Sequence, residues 1–453
     1  MTALHFAHAL LPDGWAADVR IEFAGGRIAA LQAGAAPGDA ERHAAIALPG
    51  LANLHSHAFQ RAMAGLAETA GNGPDSFWSW REVMYRFLAH VTPDHVEAFA
   101  TQAYAEMLEA GFTAVGEFHY LHHAPDGRPY DDLGEMAGRV VAAAASTGIS
   151  LTLLPVLYRQ GGFGGQAPSA AQHRFVNSPE RFLALLERAR AQIAALPGAN
   201  VGVAPHSLRA VAPDDLAALL DAVPSGPVHI HVAEQLREVE DCLAWSGQRP
   251  VEWLLARHPV GPRWCLVHAT HMTEAETQAL ARSQAVAGLC PITEANLGDG
   301  LFSLRAFAAC GGRFGVGSDS NIRIDAAAEL RLLEYGQRLA HRARNLIAPP
   351  GASSGRTLFD TALRGGAQAL GRATSGLVPG APADIVALDP THPSLVAQAA
   401  DGWLDGWIFA GDRTMVRDVW AGGRRVVEQG RHVGRTVQHR RYATALHDLL
   451  STA

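Results

Sequence analysis

The sequence predicts an α/β protein: a (β/α)8 TIM-type barrel with a small β-sandwich domain built from both chain ends. Three observations predict it. Eight short apolar runs alternate with helical patterns, polar residues sit where the runs stop, and the first and last stretches repeat one strand-turn-strand pattern.

The eight runs are residues 51–54, 113–118, 150–156, 201–204, 228–231, 265–268, 285–289 and 314–317. Their length suits parallel strands buried on both faces, which read as unbroken apolar segments. Helix signals fall between them: 96–110 closed by Gly111, 179–196 behind Ser178, and 273–282. At the start of the chain, Val19-Arg20-Ile21-Glu22-Phe23 alternates apolar and polar, and Ala24-Gly25-Gly26-Arg27 turns it into 28–31. Near the other end, 416–420, Ala421-Gly422-Gly423-Arg424 and Val426-Val427 repeat that pattern, with 383–389 as a further strand. These features predict a small composite β domain over 1–48 and 377–440, a (β/α)8 barrel over 49–376, and a tail or helix over 441–453.

Composition removes several function classes. A chain of 453 residues, 48% hydrophobic, buries a large core. The net charge of -7, with no basic tract outside the short C-terminal segment, argues against a nucleic-acid partner. No apolar run reaches the length of a membrane span, and the N-terminus lacks the pattern of a secretory leader, so the expected compartment is the cytoplasm. The four cysteines show no paired spacing. There is no lysine, and all 37 basic residues are arginine. A Walker-type phosphate loop, a Schiff-base amine and a metal pair bridged by a carboxylated lysine are thereby excluded.

Chemistry concentrates at the strand ends. The run ending in Leu54-His55-Ser56-His57 puts two histidines on one side of an extended strand. His119 and Tyr120 follow the second run, His206 follows the fourth, His231 closes the fifth, His268 closes the sixth, and Asp319 follows the eighth. A barrel gathers such residues at one mouth. Three neutral imidazoles and a carboxylate suit one divalent metal per chain, Zn2+ first among them, with a position left for water. Glu234, three residues beyond His231, is placed to shuttle a proton; its plainer role is a helix N-terminal carboxylate. His268 would polarise the attacked centre or orient the water, with metal ligation as its rival role.

Together these residues resemble the amidohydrolase superfamily in its mononuclear deaminase branch, over nearly the whole chain. The resemblance rests on Pro49-Gly50 before His55-Ser56-His57, on 231–234, Val267-His268-Ala269-Thr270-His271 and 290–300, and on Gly315-Val316-Gly317-Ser318-Asp319-Ser320 and 376–384. It implies metal ligation by His55, His57, His231 and Asp319, and acid-base roles for Glu234 and His268; in the expected reaction Asp319 or His268 helps to deprotonate the water. Within the branch, 57–66, Trp78-Ser79-Trp80-Arg81, Phe118-His119-Tyr120 and Pro205-His206-Ser207-Leu208-Arg209 resemble bacterial deiminases of histidine degradation. Those enzymes hydrolyse N-formimino-L-glutamate to N-formyl-L-glutamate and ammonia.

The resemblance further implies substrate contacts from Gln60, Arg81, Tyr120, His206 and Arg209. Ser320 would touch substrate or orient a ligand. Two arginines suit a small-molecule substrate with two carboxylates, because each guanidinium offers a planar fork of donors. A homodimer is expected, without nucleic-acid or membrane partners. The alternative substrate is a guanine-like or adenosine-like base, which would favour aromatic walls. Plainer readings stand beside these: Arg209 as a helix cap or partner of Asp214, and Arg81 as a solvated helix residue. Trp78 and Trp80 read as core or lid packing, and the loop histidines His119, His122 and His123 as surface residues.

Overall fold

Eight short parallel strands carry the apolar runs. They are β1 (Leu51–Ser56), β2 (Phe112–His119), β3 (Ser150–Leu157), β4 in two pieces (Asn200–Val201 and Ala204–Pro205), β5 (Val228–Val232), β6 (Trp264–His268), β7 (Val286–Leu289) and β8 (Arg313–Val316). The computed structural model describes residues 2–71, 73 and 75–452. Pairing runs in chain order through β1 to β4 and again through β5 to β8. Bridges Val203 to Val228 and Ser207 to His231 join the halves, and a bridge from Ser56 to Asp319 closes the ring. Closure demands a close approach: a Cβ on Gly317 would lie 2.7 Å from the His55 carbonyl oxygen. Only glycine permits it.

The fourth strand departs from expectation. Instead of one run over 201–204, the chain breaks at Gly202, where a Cβ would meet the Pro227 carbonyl oxygen at 2.6 Å. Helices lie close to their expected places because caps define them. Thr92 accepts a hydrogen bond from the His95 N–H to start Pro93–Glu109, which stops before Gly111 at φ +94°. Ser178 starts Pro179–Ile193, and Thr273 starts Glu274–Ser283. After β1 come a short 3-10 helix, Ala58–Met63, and the helix Phe77–Leu88 capped by Ser76.

Both chain ends contribute to one eight-stranded sheet. Thr2–Leu11, Gly14–Ala24, Arg27–Gln32 and Glu41–Pro49 come from the start, and Ile385–Leu388, Val416–Ala421, Arg424–Glu428 and Arg431–His432 from the end. The seam pairs Leu48 with Val386 and Pro49 with Ile385. Phe6, Val19, Ile21, Ile385 and Trp420 form a core separate from that of the barrel, each buried side chain of this size contributing about 1.5–3 kcal/mol. Because Glu41–Pro49 runs directly into β1, this sheet also fixes where the first histidine-bearing strand begins.

The last helix, Arg435–Thr452, starts before residue 441. It docks on Pro93–Glu109 through Arg441 to Glu97 at 2.9 Å and an ion pair of Arg435 with Glu109. Met1 and Ala453, the outer ends of the expected units, lie outside the described residues. Among the described residues no helix is long and apolar enough to cross a membrane.

Candidate metal centre and active site

The ends of β1 and β8 are stitched together by backbone. The His57 N–H donates to the Asp319 carbonyl and the Asp319 N–H to that of His55, each at 2.9 Å. A buried side-chain network reinforces the seam. Asn53 donates to Ser318 Oγ at 2.6 Å, Ser318 Oγ donates to Asn321 Oδ1 at 2.6 Å, and the Asn321 amide donates to Ser56 Oγ and the His57 carbonyl at 3.1 Å. Asp319, His268 and Ala233 hold left-handed backbone, at φ +45°, +67° and +51°. Such conformations cost about 1–3 kcal/mol each and persist where surrounding structure enforces them.

Four donor atoms converge at this seam. Asp319 Oδ1 lies 3.3 Å from His55 Nε2 and 3.2 Å from His57 Nε2, and His231 Nε2 lies 3.0 Å from His55 Nε2. Tetrahedral zinc with bonds of about 2.0–2.1 Å sets its donors roughly 3.3 Å apart, so the set fits such an ion. Protonation agrees. Burial depresses all three imidazoles, His55 to about 3 and His231 well below its ordinary value, leaving neutral rings with lone pairs to offer. His57 Nδ1 donates to the Phe118 carbonyl at 3.0 Å, which turns its Nε2 inward. Burial would raise the Asp319 carboxyl, but the His55 hydrogen bond and nearby imidazoles outweigh it and hold the group below the usual carboxylate range. These four residues form a candidate metal site.

A neighbouring histidine shows how closely placement decides role. His229 sits two residues before His231 on β5, yet its Nε2 donates to the Ala369 carbonyl at 2.8 Å. It is a core histidine pinned by that bond, its Nδ1 buried without a partner.

Beside the donor set lie the two candidate acid-base groups. Glu234 Oε1 is 3.8 Å from His268 Nε2, whose Nδ1 is 3.2 Å from Glu294 Oε1. Burial pushes the Glu234 carboxyl up to about 7, against the pull of His268 and Arg209. Burial opposes charge on His268, but Glu234, Glu294 and Asp319 outweigh it and lift the imidazole to about 10. Glu238, absent from the sequence-based candidates, holds the turn carrying Glu234 by accepting from the Ala233 and Glu234 N–H groups at 3.3 and 3.1 Å. Asp299 is pushed up to about 8 by burial and by Glu234, and receives a hydrogen bond from Gln235.

A cavity of about 600 Å3, counting its open mouth, spans these groups. Gln60, Arg81, Tyr120, His206 and Arg209 line it together with His57, His231, Glu234, His268 and Asp319. Gln60 donates to the Tyr120 hydroxyl at 2.8 Å. Arg209 faces Glu234 Oε2 at 3.7 Å and Glu238 Oε2 at 4.0 Å. The Nε atoms of Arg81 and Arg209 are buried without a partner, so both guanidiniums keep donors for a ligand. Ser320 lies off the cavity lining, its hydroxyl 2.9 Å from that of Thr293.

Other residues differ from their sequence reading. His119, His122 and His123 are buried, not superficial; His122 and His123 bond the Val156 and Val176 carbonyls at 2.9 and 3.0 Å beneath the segment that carries Arg174. Trp80 faces the cavity, and Phe77, Tyr85, Tyr158 and Phe175 add an aromatic wall that spacing gave no signal for. Trp78 packs against arginines.

Fold and donor set agree with sequence comparison: the chain belongs to the amidohydrolase family, whose family model matches residues 46–426. Residues 1–45 match the model described as formimidoylglutamate deiminase HutF, N-terminal domain. Formimidoylglutamate deiminase of Pseudomonas aeruginosa is 53% identical, over 99% of this chain and 100% of that protein. An 8-oxoguanine deaminase of the same organism is 30% identical, over 90% of this chain and 88% of its own length. Among solved structures, an amidohydrolase from Brucella melitensis is 56% identical with a TM-score of 0.96, covering 99% of this chain and 100% of that one. An adenosine deaminase from Xanthomonas campestris with bound zinc shares the fold at 22% identity and a TM-score of 0.82, over 99% of this chain and 98% of its own.

Proposed function

We propose that this chain hydrolyses N-formimino-L-glutamate to N-formyl-L-glutamate and ammonia in histidine degradation. One observation carries the substrate: Arg81 and Arg209, each with a buried unpartnered Nε, share a cavity with the candidate metal donors. Two forks of N–H donors match two carboxylates. The reaction and pathway are those that the 53% identical relative's name and the sequence resemblance support.

The metal in this reading is zinc, held by His55, His57, His231 and Asp319. When bound, it supplies Lewis-acid chemistry that makes a water acidic near pH 7 and polarises the attacked centre. Arg81 and Arg209 bind the carboxylates, while Gln60, Tyr120 and His206 orient the formimino group. Glu234, poised near pH 7, takes a proton from the attacking water and delivers it to the imine nitrogen. His268, kept cationic and oriented by Glu294, donates toward the developing oxyanion. Asp319, negative at neutral pH, helps to draw off the water proton. The oxygen joins the formimino carbon, and the remaining hydroxyl proton passes through Asp319 and Glu234 to the nitrogen as the carbon-nitrogen bond breaks, the carbonyl forms and ammonia leaves.

The same reading treats 1–48 with 377–440 as a small composite β-sandwich domain around the 49–376 barrel; the one sheet that both ends build supports the composite β domain, not a second, facing layer. Four unpaired cysteines, three of them buried, support a reducing compartment such as the cytoplasm. A homodimer is supported by the family resemblance alone.

A second substrate reading has an observation in its favour, since aromatic walls also suit a flat nucleobase. Ammonia release by zinc-loaded protein separates the two. Turnover of N-formimino-L-glutamate with none of guanine, 8-oxoguanine or adenosine is expected. Turnover of a base instead would overturn the assignment.

A further inference from the structure

Three guanidinium groups surround one indole. The Cζ atoms of Arg81, Arg237 and Arg209 lie 4.6, 4.9 and 5.7 Å from the centre of the Trp78 ring. Arg81 follows Trp78 by three residues on the helix Phe77–Leu88, which puts the two on one face. Arg209 arrives from the segment after β4, and Arg237, exposed and 3.7 Å from Asp241, from the first turn of Leu236–Ser246.

Arg81 and Arg209 present a physical problem that Trp78 answers. Two cations in a largely buried pocket repel one another, and the carboxylates nearest Arg209 stand off at 3.7 and 4.0 Å. An indole face is electron-rich and attracts guanidinium groups, more strongly where water is thin. It also leaves the N–H edges free, as the unpartnered Nε atoms of both arginines show. An aliphatic side chain there would supply bulk without that attraction.

We propose that Trp78 is the positioning residue of the substrate site, holding Arg81 and Arg209 as a paired-cation receptor and thereby setting the preference for ligands with two carboxylates. This rests on the deiminase reading above. It assigns Trp78 no contact with the reacting atoms.

The test compares wild type, Trp78→Phe and Trp78→Leu, all zinc-loaded, by calorimetry with N-formyl-L-glutamate and N-formylglycine and by turnover of N-formimino-L-glutamate. Trp78→Leu is expected to weaken N-formyl-L-glutamate binding about tenfold (about 1.4 kcal/mol) while changing N-formylglycine binding less than about twofold. Its KM rises in parallel, kcat stays within about threefold, and Trp78→Phe keeps most of the affinity. Equal losses for both ligands, a fall in kcat at constant KM, or a Leu variant that keeps wild-type preference would each overturn the role of Trp78. If wild type itself shows no preference for N-formyl-L-glutamate, the deiminase reading fails and takes this proposal with it.

Discussion

His268 Nδ1 lies 3.2 Å from Glu294 Oε1, and Glu294 Oε1 also accepts from the Cys290 N–H at 2.9 Å. The carboxylate is thus anchored at the end of β7 and in turn fixes the ring at the end of β6. With Nδ1 donating to Glu294, Nε2 is left facing Glu234 and Asp319.

Removing that anchor should move the alkaline limb of the rate. In the metal-free protein the folded imidazole stays charged up to about 10; a dication bound beside it lowers that point, so activity that needs the cation is lost as pH rises through the lowered value. In Glu294→Gln the limb moves to lower pH, and kcat falls by about 10-fold or more, as for other groups that orient a catalytic side chain. A kcat against pH profile checks this, and coincident wild-type and variant profiles would contradict it.

Glu234 should cost the apoprotein stability at neutral pH. Its carboxyl titrates near 7 in the folded protein against an ordinary value of 4.5. Across that window the folded state holds a proton that the unfolded chain has released, so stability falls as pH rises. Glu234→Gln should therefore be more stable than wild type by on the order of 1–3 kcal/mol at pH 8, with the gap closing toward pH 4.5. Urea unfolding of chelator-treated protein measures the gap. Turnover of the same variant should be abolished although it still binds metal.

Much of this site was legible in the sequence because strands impose a period of two and barrels gather strand ends. His55 and His57 needed only that arithmetic; the count of eight runs put His231, His268 and Asp319 at the mouth together with His119 and His206, and the family resemblance sorted ligands from neighbours. Residues that act through others left no such mark. Glu238 and Glu294 read as ordinary helix carboxylates, and the Asn53, Ser318 and Asn321 network joins positions 264 or 265 apart, except for the local Ser318–Asn321 and Asn321–Asp319 bonds. The aromatic wall was hidden for a similar reason: Tyr85, Tyr158 and Phe175 come from three separate segments. The fourth strand was placed but not its break, since Gly202 yields to a carbonyl from a different loop.

Asn321 offers a test of that hidden network. Its amide bonds Ser56, the His57 carbonyl and the Asp319 carbonyl at 3.0–3.1 Å. Asn321→Ala removes the acceptor of the buried Ser318 hydroxyl and a donor from Ser56 and both carbonyls, at a cost of about 1–3 kcal/mol, and should weaken metal affinity by roughly 10- to 100-fold. Competition with a chromogenic chelator reads the affinity. An unchanged value would show that the backbone bridge alone holds the ligands.

The arginines carry a separable expectation. Arg209→Met should raise KM for N-formimino-L-glutamate by about 100-fold, on the order of a lost charge-assisted pair. Glu234 then loses a neighbouring positive charge, so its ionisation should shift upward. Steady-state kinetics across pH measures both. A raised KM without any shift of the acid limb would place Arg209 away from Glu234 in the working enzyme.

The central claim is that one metal, held where His55, His57, His231 and Asp319 converge, serves the deimination of N-formimino-L-glutamate. The most direct measurement is ammonia release from that compound as zinc is titrated into metal-free protein. Activity should climb linearly from near zero and level at one equivalent per chain, and His231→Asn should remove the response. Full turnover by metal-free protein, or a plateau only at two equivalents, would contradict the account.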